Sequence, residues 1–159
     1  MEVVELANVC LMVLVFFFSL NLAPMMFESF TSDRIWASNP PDSFYMFLGR
    51  YGQNTAGYWR IVSPLASVAF VLSFVFNWEA SGRAGWLAVA FALFVVIQIA
   101  TMAYFVPEQE SLIAHAPSLS RKVLETRASR WMVLNYVRNV AGVVAFACLL
   151  TAVLASPVP

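Results

Sequence analysis

The sequence predicts an all-α integral membrane protein, a four-helix bundle with a long aromatic-rich loop between helices one and two. Composition is the first reason: 61% of the 159 residues are apolar and 11% are charged, about half the charged share of a soluble domain. The second reason is that four separate segments are apolar enough to cross the hydrocarbon core as helices, which takes about 20 residues each. We therefore expect residues 1–159 to form a single transmembrane domain.

The four predicted helices cover about residues 6–27, 59–76, 84–106 and 131–154. The first segment differs from a cleaved signal peptide, because Glu2 and Glu5 stand where Lys or Arg is usual and its apolar run is too long. We expect it to be a retained helix. Pro24 lacks a backbone N–H and is expected to kink or loosen the last turn of this helix.

The segment 28–58 is long for a connection within a bundle. Its aromatic content indicates that it folds onto the rest of the protein. We predict a short helix near residues 43–51 that lies against the membrane surface or caps the bundle. The aromatic residues of this loop are Trp36, Phe44, Tyr45, Phe47, Tyr51 and Tyr58.

Basic residues are distributed unevenly between the loops, and basic loops usually stay in the cytoplasm. We expect the first and third loops to be cytoplasmic and both termini to lie on the outer, periplasmic side of a bacterial inner membrane. Membrane lipid is an expected partner, since the third-loop cations can pair with anionic headgroups. The first loop and its edges hold Arg34, Arg50 and Arg60, the second holds Arg83, and the third holds Arg121, Lys122, Arg127 and Arg130.

Several classes of function are disfavoured by composition. Nine basic and nine acidic residues cancel, so nucleic acid is not an expected partner. His115 is the one histidine of the chain, and metal or haem sites built on imidazole need more than one. Cys10 and Cys148 lie in apolar segments and form no metal-binding motif. We therefore predict no metal site and no cofactor.

Polar side chains occur in all four predicted helices at a similar depth, near the cytoplasmic ends. With a rise of about 1.5 Å per residue, these depths agree within about one turn. Arg138 matters most, because a guanidinium inside a membrane is costly unless it meets water, a carboxylate or carbonyl groups. Glu28 and Glu108 are its candidate carboxylate partners. The polar residues expected at this depth are Asn21, Ser63, Ser67, Gln98, Thr101, Asn135, Arg138 and Asn139.

Residues Asn135, Arg138, Asn139 and Gly142 recur at helical spacing and therefore form one stripe, which we expect to face the bundle interior. As an intramembrane ionisable residue, Arg138 is a candidate for a functional site. The alternative is that this polar network only holds the four helices together.

Aromatic residues continue the faces that carry these polar groups. Phe17 precedes Asn21 by four residues, and Phe94 precedes Gln98 by four. This arrangement predicts a pocket with a polar end and aromatic walls, suited to a flat, oxygenated, hydrophobic molecule such as an aromatic or quinone-like ligand. The alternative is that these phenylalanines simply fill the core or face lipid.

The pattern Trp131-x-x-x-Asn135-x-x-Arg138, at the start of the last helix of a four-helix membrane protein, resembles the anthrone oxygenase-like family. Residues 106–112 are similar to the turn that follows helix three in that family, with Gln109 where Asn is usual. The family includes fungal enzymes that oxidise anthrones to anthraquinones and many bacterial members. The resemblance implies that Arg138 and Asn135 are catalytic and lie near a bound aromatic substrate.

In that interpretation Arg138 stabilises a developing phenolate or enolate oxygen. Asn135 and Gln98 orient the substrate carbonyl, and the electron-rich anion then reacts with oxygen. The residues predicted to bind substrate are Asn21, Gln98, Thr101, Ser67, Asn139, Trp131, Phe17 and Phe94.

Three functions are compatible with a small bundle of apolar helices. The first is a cofactor-independent membrane oxygenase or oxidase that acts on an aromatic or quinone-like molecule. The second is a non-catalytic accessory or structural subunit of a larger membrane complex. The third, a small transporter or channel, lacks support because no inverted repeat is visible. Ala84, Ala88 and Ala92 have the four-residue spacing of close helix contacts, within the bundle or between protomers of a homo-oligomer.

Overall fold

The computed structural model describes residues 3–50, 52–79 and 81–155, and within these ranges it contains helices and no strand. Four helical segments are long and apolar enough to cross a membrane, which confirms the predicted fold class. The protein is therefore a multi-pass membrane protein. The four segments are Val4–Ser38, Ala56–Asn77, Gly82–Ala114 and Arg121–Leu154.

The helices extend further than hydropathy predicts, because helical structure continues into the charged residues at their ends. The last helix begins ten residues earlier than expected, where Arg121 and Glu125 form an ion pair one turn apart at 3.0 Å. The first helix continues past Pro24 to Phe30. The helices are α1 (Val3–Phe30), α2 (Ser32–Ser38), α3 (Ala56–Asn77), α4 (Ser81–Ala100), α5 (Val106–Ala114) and α6 (Arg121–Leu154), with a π-helical turn at Thr101–Phe105 and 3-10 turns at Asp42–Phe47 and Ala116–Ser118.

The long helices form a ring in chain order. α1 packs against α3 and α6, and α4 packs against α6. The seam between α3 and α4 closes the ring with the least extensive packing. Phe70 of α3 meets Phe91 and Phe94 of α4 there, with ring centroids 5.5 and 4.8 Å apart. We call the two ends of this bundle the Arg138 end and the Arg83 end, after the arginine that each contains.

The first loop caps the Arg138 end, which confirms one of the two predicted placements. Trp36 of α2 is fully buried, and Phe44 of the following 3-10 turn is 2% exposed. The Ser43 hydroxyl donates a hydrogen bond to the Trp36 carbonyl at 2.5 Å and joins the two short elements. The turn ends before Gly49, whose φ of 79° is left-handed and favours glycine. Tyr51, in the predicted helix, lies outside the described residues.

Arg83 is buried in the first turn of α4, although the sequence placed it in a loop. Its Nε donates to the carbonyl of Ala155 at 2.8 Å, and one Nη donates to Asn8 at 2.6 Å. Asn77 of α3 donates to the Ala7 carbonyl at 3.2 Å. These bonds link all four long helices at the end of the bundle opposite Arg138.

Two further observations concern small residues and cysteines on the membrane helices. Ala88 and Ala92 are exposed on the outer surface of α4, so their spacing does not serve contacts within the bundle. Cys10 and Cys148 are both free thiols.

Candidate functional site

Arg138 lies on the inner side of α6 and is held by neutral groups. One Nη donates to the side-chain oxygen of Asn135 at 2.6 Å, and the other donates to the hydroxyl of Thr101 at 3.2 Å. The guanidinium also lies over the ring of Phe105, 4.3 Å from its centroid, a contact worth about 0.5–2 kcal/mol. No carboxylate in the described part of the chain lies within ion-pair distance of Arg138.

Thr101 and Phe105, two of the partners of Arg138, lie in the π-helical turn that follows α4. The N–H of Val106 donates to the carbonyl of Thr101, five residues earlier, and Pro107 directly after it has no N–H to continue the usual pattern. Such turns shift the helical register and are frequent at functional sites. Here the turn places Thr101 and Phe105 on the same arginine.

Asn135 is fully buried and links Arg138 to a carboxylate. Its amide nitrogen donates to Asp33 at 2.8 Å and to the Ser29 hydroxyl at 2.7 Å, while its oxygen accepts from Arg138. Asp33, 7% exposed, also accepts from the Trp36 indole at 3.2 Å. Asp33 therefore fixes the Asn135 amide so that its oxygen faces Arg138.

Ser29 and Asp33 are site residues that the sequence analysis missed, because it ended helix one at residue 27. A signal was present: Ser29 and Asp33 are four residues apart, and Trp36 follows three residues later, so the three share one helical face. Asn139 also belongs to this group, since its amide donates to Ser29 at 2.6 Å. The predicted stripe on α6 does face the interior, with Gly142 buried below Asn139.

Of the two carboxylates predicted to pair with Arg138, Glu108 is bound elsewhere. Both of its oxygens accept hydrogen bonds from Arg127 at 2.7 Å, because α5 and the long first part of α6 run side by side. Glu28 is partly buried, and its charge acts on Arg138 without direct contact.

Asn21, Ser63 and Ser67 form a separate polar group between α1 and α3. Ser63 donates to the Asn21 side-chain oxygen at 3.1 Å, and Asn21 donates to the Phe17 carbonyl at 3.0 Å. Ser67 donates to the Ser63 carbonyl at 2.9 Å. Within the described residues no hydrogen bond connects this group to Arg138, so the predicted polar layer consists of two groups.

The predicted aromatic residues lie mostly away from Arg138. Phe94 is 4% exposed and packs against Phe18 and Phe70 in the core. It lies seven residues, about 10 Å of helix, before Thr101. Phe17 and Gln98 are partly buried, and the Gln98 amide makes no hydrogen bond to the described residues.

The aromatic surroundings of Arg138 come instead from Phe105 and the residues behind it. Trp131, predicted to bind substrate, is 4% exposed. Its indole donates to the Phe105 carbonyl at 3.0 Å and meets the Trp36 ring edge-on at 4.9 Å. This packing supports the ring on which Arg138 lies.

A fixed guanidinium with neutral partners keeps its positive charge available, which suits stabilisation of an oxyanion. The site also has unused hydrogen-bonding capacity, since Arg138 Nε and the side-chain oxygen of Asn139 are buried without a partner among the described residues. His115 is exposed. Over residues 3–50, 52–79 and 81–155, no three His, Cys, Asp or Glu residues are grouped so as to hold a metal ion.

Fold and site together define a four-helix, multi-pass membrane protein with a buried cationic cluster at one end of its bundle. Comparison with known families matches the anthrone oxygenase family over residues 50–148, so the chain belongs to that family. The family resemblance inferred from Trp131, Asn135 and Arg138 is confirmed, and all three lie in the matched segment. Comparisons with curated proteins and with solved structures gave no match.

Proposed function

We propose that this protein is a membrane oxygenase that oxidises a hydrophobic aromatic ketone of the anthrone type to the corresponding quinone. Membership of the anthrone oxygenase family supports the reaction class. The observation that carries the proposal is the position of Arg138, held by Asn135, Thr101 and Phe105 without a contacting carboxylate. A cation in such a setting favours a substrate whose oxygen becomes negatively charged.

In the proposed reaction the substrate carbonyl oxygen accepts a hydrogen bond from Arg138. When the substrate loses a proton, the negative charge moves to that oxygen and the guanidinium stabilises it. Asn135 orients Arg138 rather than the substrate, because both ends of its amide are already bonded. Gln98, whose amide makes no hydrogen bond to described residues, is free to orient the substrate.

We also propose where the reaction takes place. An uncharged aromatic ketone dissolves in the bilayer, and a site inside a helix bundle can receive it from the lipid. The basic residues of the first and third loops favour a cytoplasmic Arg138 end, with both termini on the opposite side of the membrane. In a bacterial cell this orientation corresponds to an inner membrane protein with its site near the inner leaflet.

Anthrone oxidation by the purified protein in lipid nanodiscs tests this proposal. Anthraquinone formation is followed by absorbance and corrected for the spontaneous reaction in protein-free nanodiscs. The wild type is expected to accelerate the reaction, and Arg138→Gln is expected to lower kcat by about 100-fold to 1000-fold, the usual cost of losing an oxyanion donor. Arg130→Gln, the same change at an exposed position of α6, is the control and should retain wild-type turnover.

Two results would contradict the proposal. One is a wild-type rate equal to the spontaneous rate, and the other is an Arg138→Gln variant as active as the wild type. Absence of turnover together with stable co-purification of other membrane proteins would favour the accessory-subunit alternative.

A further inference from the structure

Glu28 is a carboxylate near the end of α1 that is partly buried and forms no ion pair with a described residue. Glu28 directly precedes Ser29, whose hydroxyl accepts hydrogen bonds from Asn135 and Asn139, so Glu28 lies beside the cluster that holds Arg138. The two charges act on each other without contact. Arg138 is held by hydrogen bonds to Asn135 and Thr101, and Glu28 lies beside the Trp59 indole. The site therefore has a base and a cation in the same region that do not neutralise each other by contact.

Glu28 and Arg138 contact different helices at this end of the bundle. Glu28 neighbours Trp59 in the first turn of α3, and Arg138 contacts Thr101 directly after α4. The ring contacts that join α3 to α4, such as Phe70 with Phe94, lie further along the bundle toward the Arg83 end. No ring contact among the described residues closes the α3–α4 seam at the Arg138 end, so this is the side from which a flat molecule would enter.

The other carboxylates of this end are less suited to accept a proton from a substrate. Asp33 already accepts hydrogen bonds from Trp36 and Asn135 and is 7% exposed. Glu108 is held by both terminal arms of the Arg127 guanidinium. A carboxylate whose oxygens are already held by such donors has fewer lone pairs free to accept a proton from a substrate. Glu28 has no cation in contact, and of these three carboxylates its oxygens are the most available.

We infer that Glu28 is the proton acceptor of the oxidation, facing Arg138 across the bound substrate. This inference rests on the proposed function. The Glu28 carboxylate removes one proton from the methylene carbon opposite the ketone, and the electron pair of that C–H bond moves into the ring system. The ketone oxygen becomes an enolate anion beside Arg138.

Molecular oxygen, the oxidant, takes up the electron pair in two single-electron steps and forms a C–O bond at the same carbon. The resulting peroxide anion receives the proton from Glu28 and becomes a hydroperoxide. Glu28 then removes the second proton from this carbon as the O–O bond breaks, which gives the new carbonyl and hydroxide. The hydroxide takes the proton back from Glu28 and leaves as water, so the carboxylate is regenerated.

The test compares Glu28→Gln and Glu28→Asp with the wild type in nanodiscs, using anthrone and anthrone deuterated at its methylene group. Glu28→Gln is expected to lower kcat by about 100-fold or more, the usual contribution of a general base, with KM changed little. Glu28→Asp keeps the carboxylate but moves it by one methylene, so it should be partly active, with a larger deuterium isotope effect than the wild type. Glu125→Gln, at an exposed carboxylate on α6, is the matched control.

A Glu28→Gln variant with a kcat within about threefold of the wild type would overturn the inference. If that variant does not fold, the test rests on Glu28→Asp. A rate and a deuterium isotope effect identical to those of the wild type would then overturn the inference. A wild type that does not oxidise anthrone would refute both the proposed function and the role of Glu28. Loss of activity in Arg138→Gln together with a fully active Glu28→Gln would refute the role of Glu28 alone.

Discussion

The hydrogen bonds of Asn135 to charged groups should make this residue one of the most costly to replace in the bundle. Asn135→Leu keeps the number and branching of the side-chain heavy atoms but removes the bond to Asp33 at 2.8 Å and the bond from Arg138 at 2.6 Å. Hydrogen bonds to charged groups contribute about 1.5–3 kcal/mol each. The free energy of unfolding should therefore fall by about 3–6 kcal/mol.

Asn21→Leu is the matched control, because Asn21 also bonds across helices but only to neutral groups, Ser63 and the Phe17 and Val62 carbonyls. Neutral bonds in membrane bundles contribute about 0.6 kcal/mol each, so the expected loss is about 1–2 kcal/mol. Both variants can be unfolded in mixed micelles by increasing the SDS fraction, with tryptophan fluorescence as the signal. Equal losses of unfolding free energy for the two variants would refute the reasoning.

Three further substitutions test other parts of the fold. Gly142→Leu should lower the unfolding free energy by about 1–3 kcal/mol in the same assay, because even a Cβ at this position would lie 2.9 Å from the methyl carbon of Met25. An unchanged unfolding free energy would contradict the close packing of α1 on α6. Arg83→Gln should lower the unfolding free energy by about 1.5–3 kcal/mol yet leave anthrone turnover per folded molecule unchanged, since Arg83 lies at the opposite end of the bundle. Glu108→Gln should lower the unfolding free energy by no more than about 1 kcal/mol, and by less at high salt, because the ion pair of Glu108 with Arg127 is partly exposed. A larger loss that does not depend on salt would show that this pair stabilises the protein more than its exposure indicates.

Hydropathy was enough to predict the four membrane helices, and helical spacing was enough to predict that Arg138 has polar neighbours inside the bundle. Long apolar segments have few alternatives to spanning a membrane, and an arginine among them requires polar neighbours. The stripe of Asn135, Asn139 and Gly142 followed from the same periodicity, and the structure places it in the interior.

The partners of Arg138 were harder to predict, for two physical reasons. Hydropathy marks where apolar residues stop rather than where a helix stops, so Asp33 was assigned to a loop although helical structure continues to Ser38. The π-helical turn before Pro107 shifts the register of the chain, and this shift brings Thr101 and Phe105 onto Arg138. Neither the extension of the helix nor the shift of register can be detected from the positions of apolar residues alone.

The most direct test of the central claim is an experimental structure of the protein in nanodiscs with anthraquinone, the expected product, bound. Our account predicts a quinone oxygen about 3 Å from a guanidinium nitrogen of Arg138, with the other edge of the ring system toward Glu28. A quinone bound away from Arg138, or an Arg138 that contacts only Asn135, Thr101 and Phe105 at saturating quinone, would contradict it.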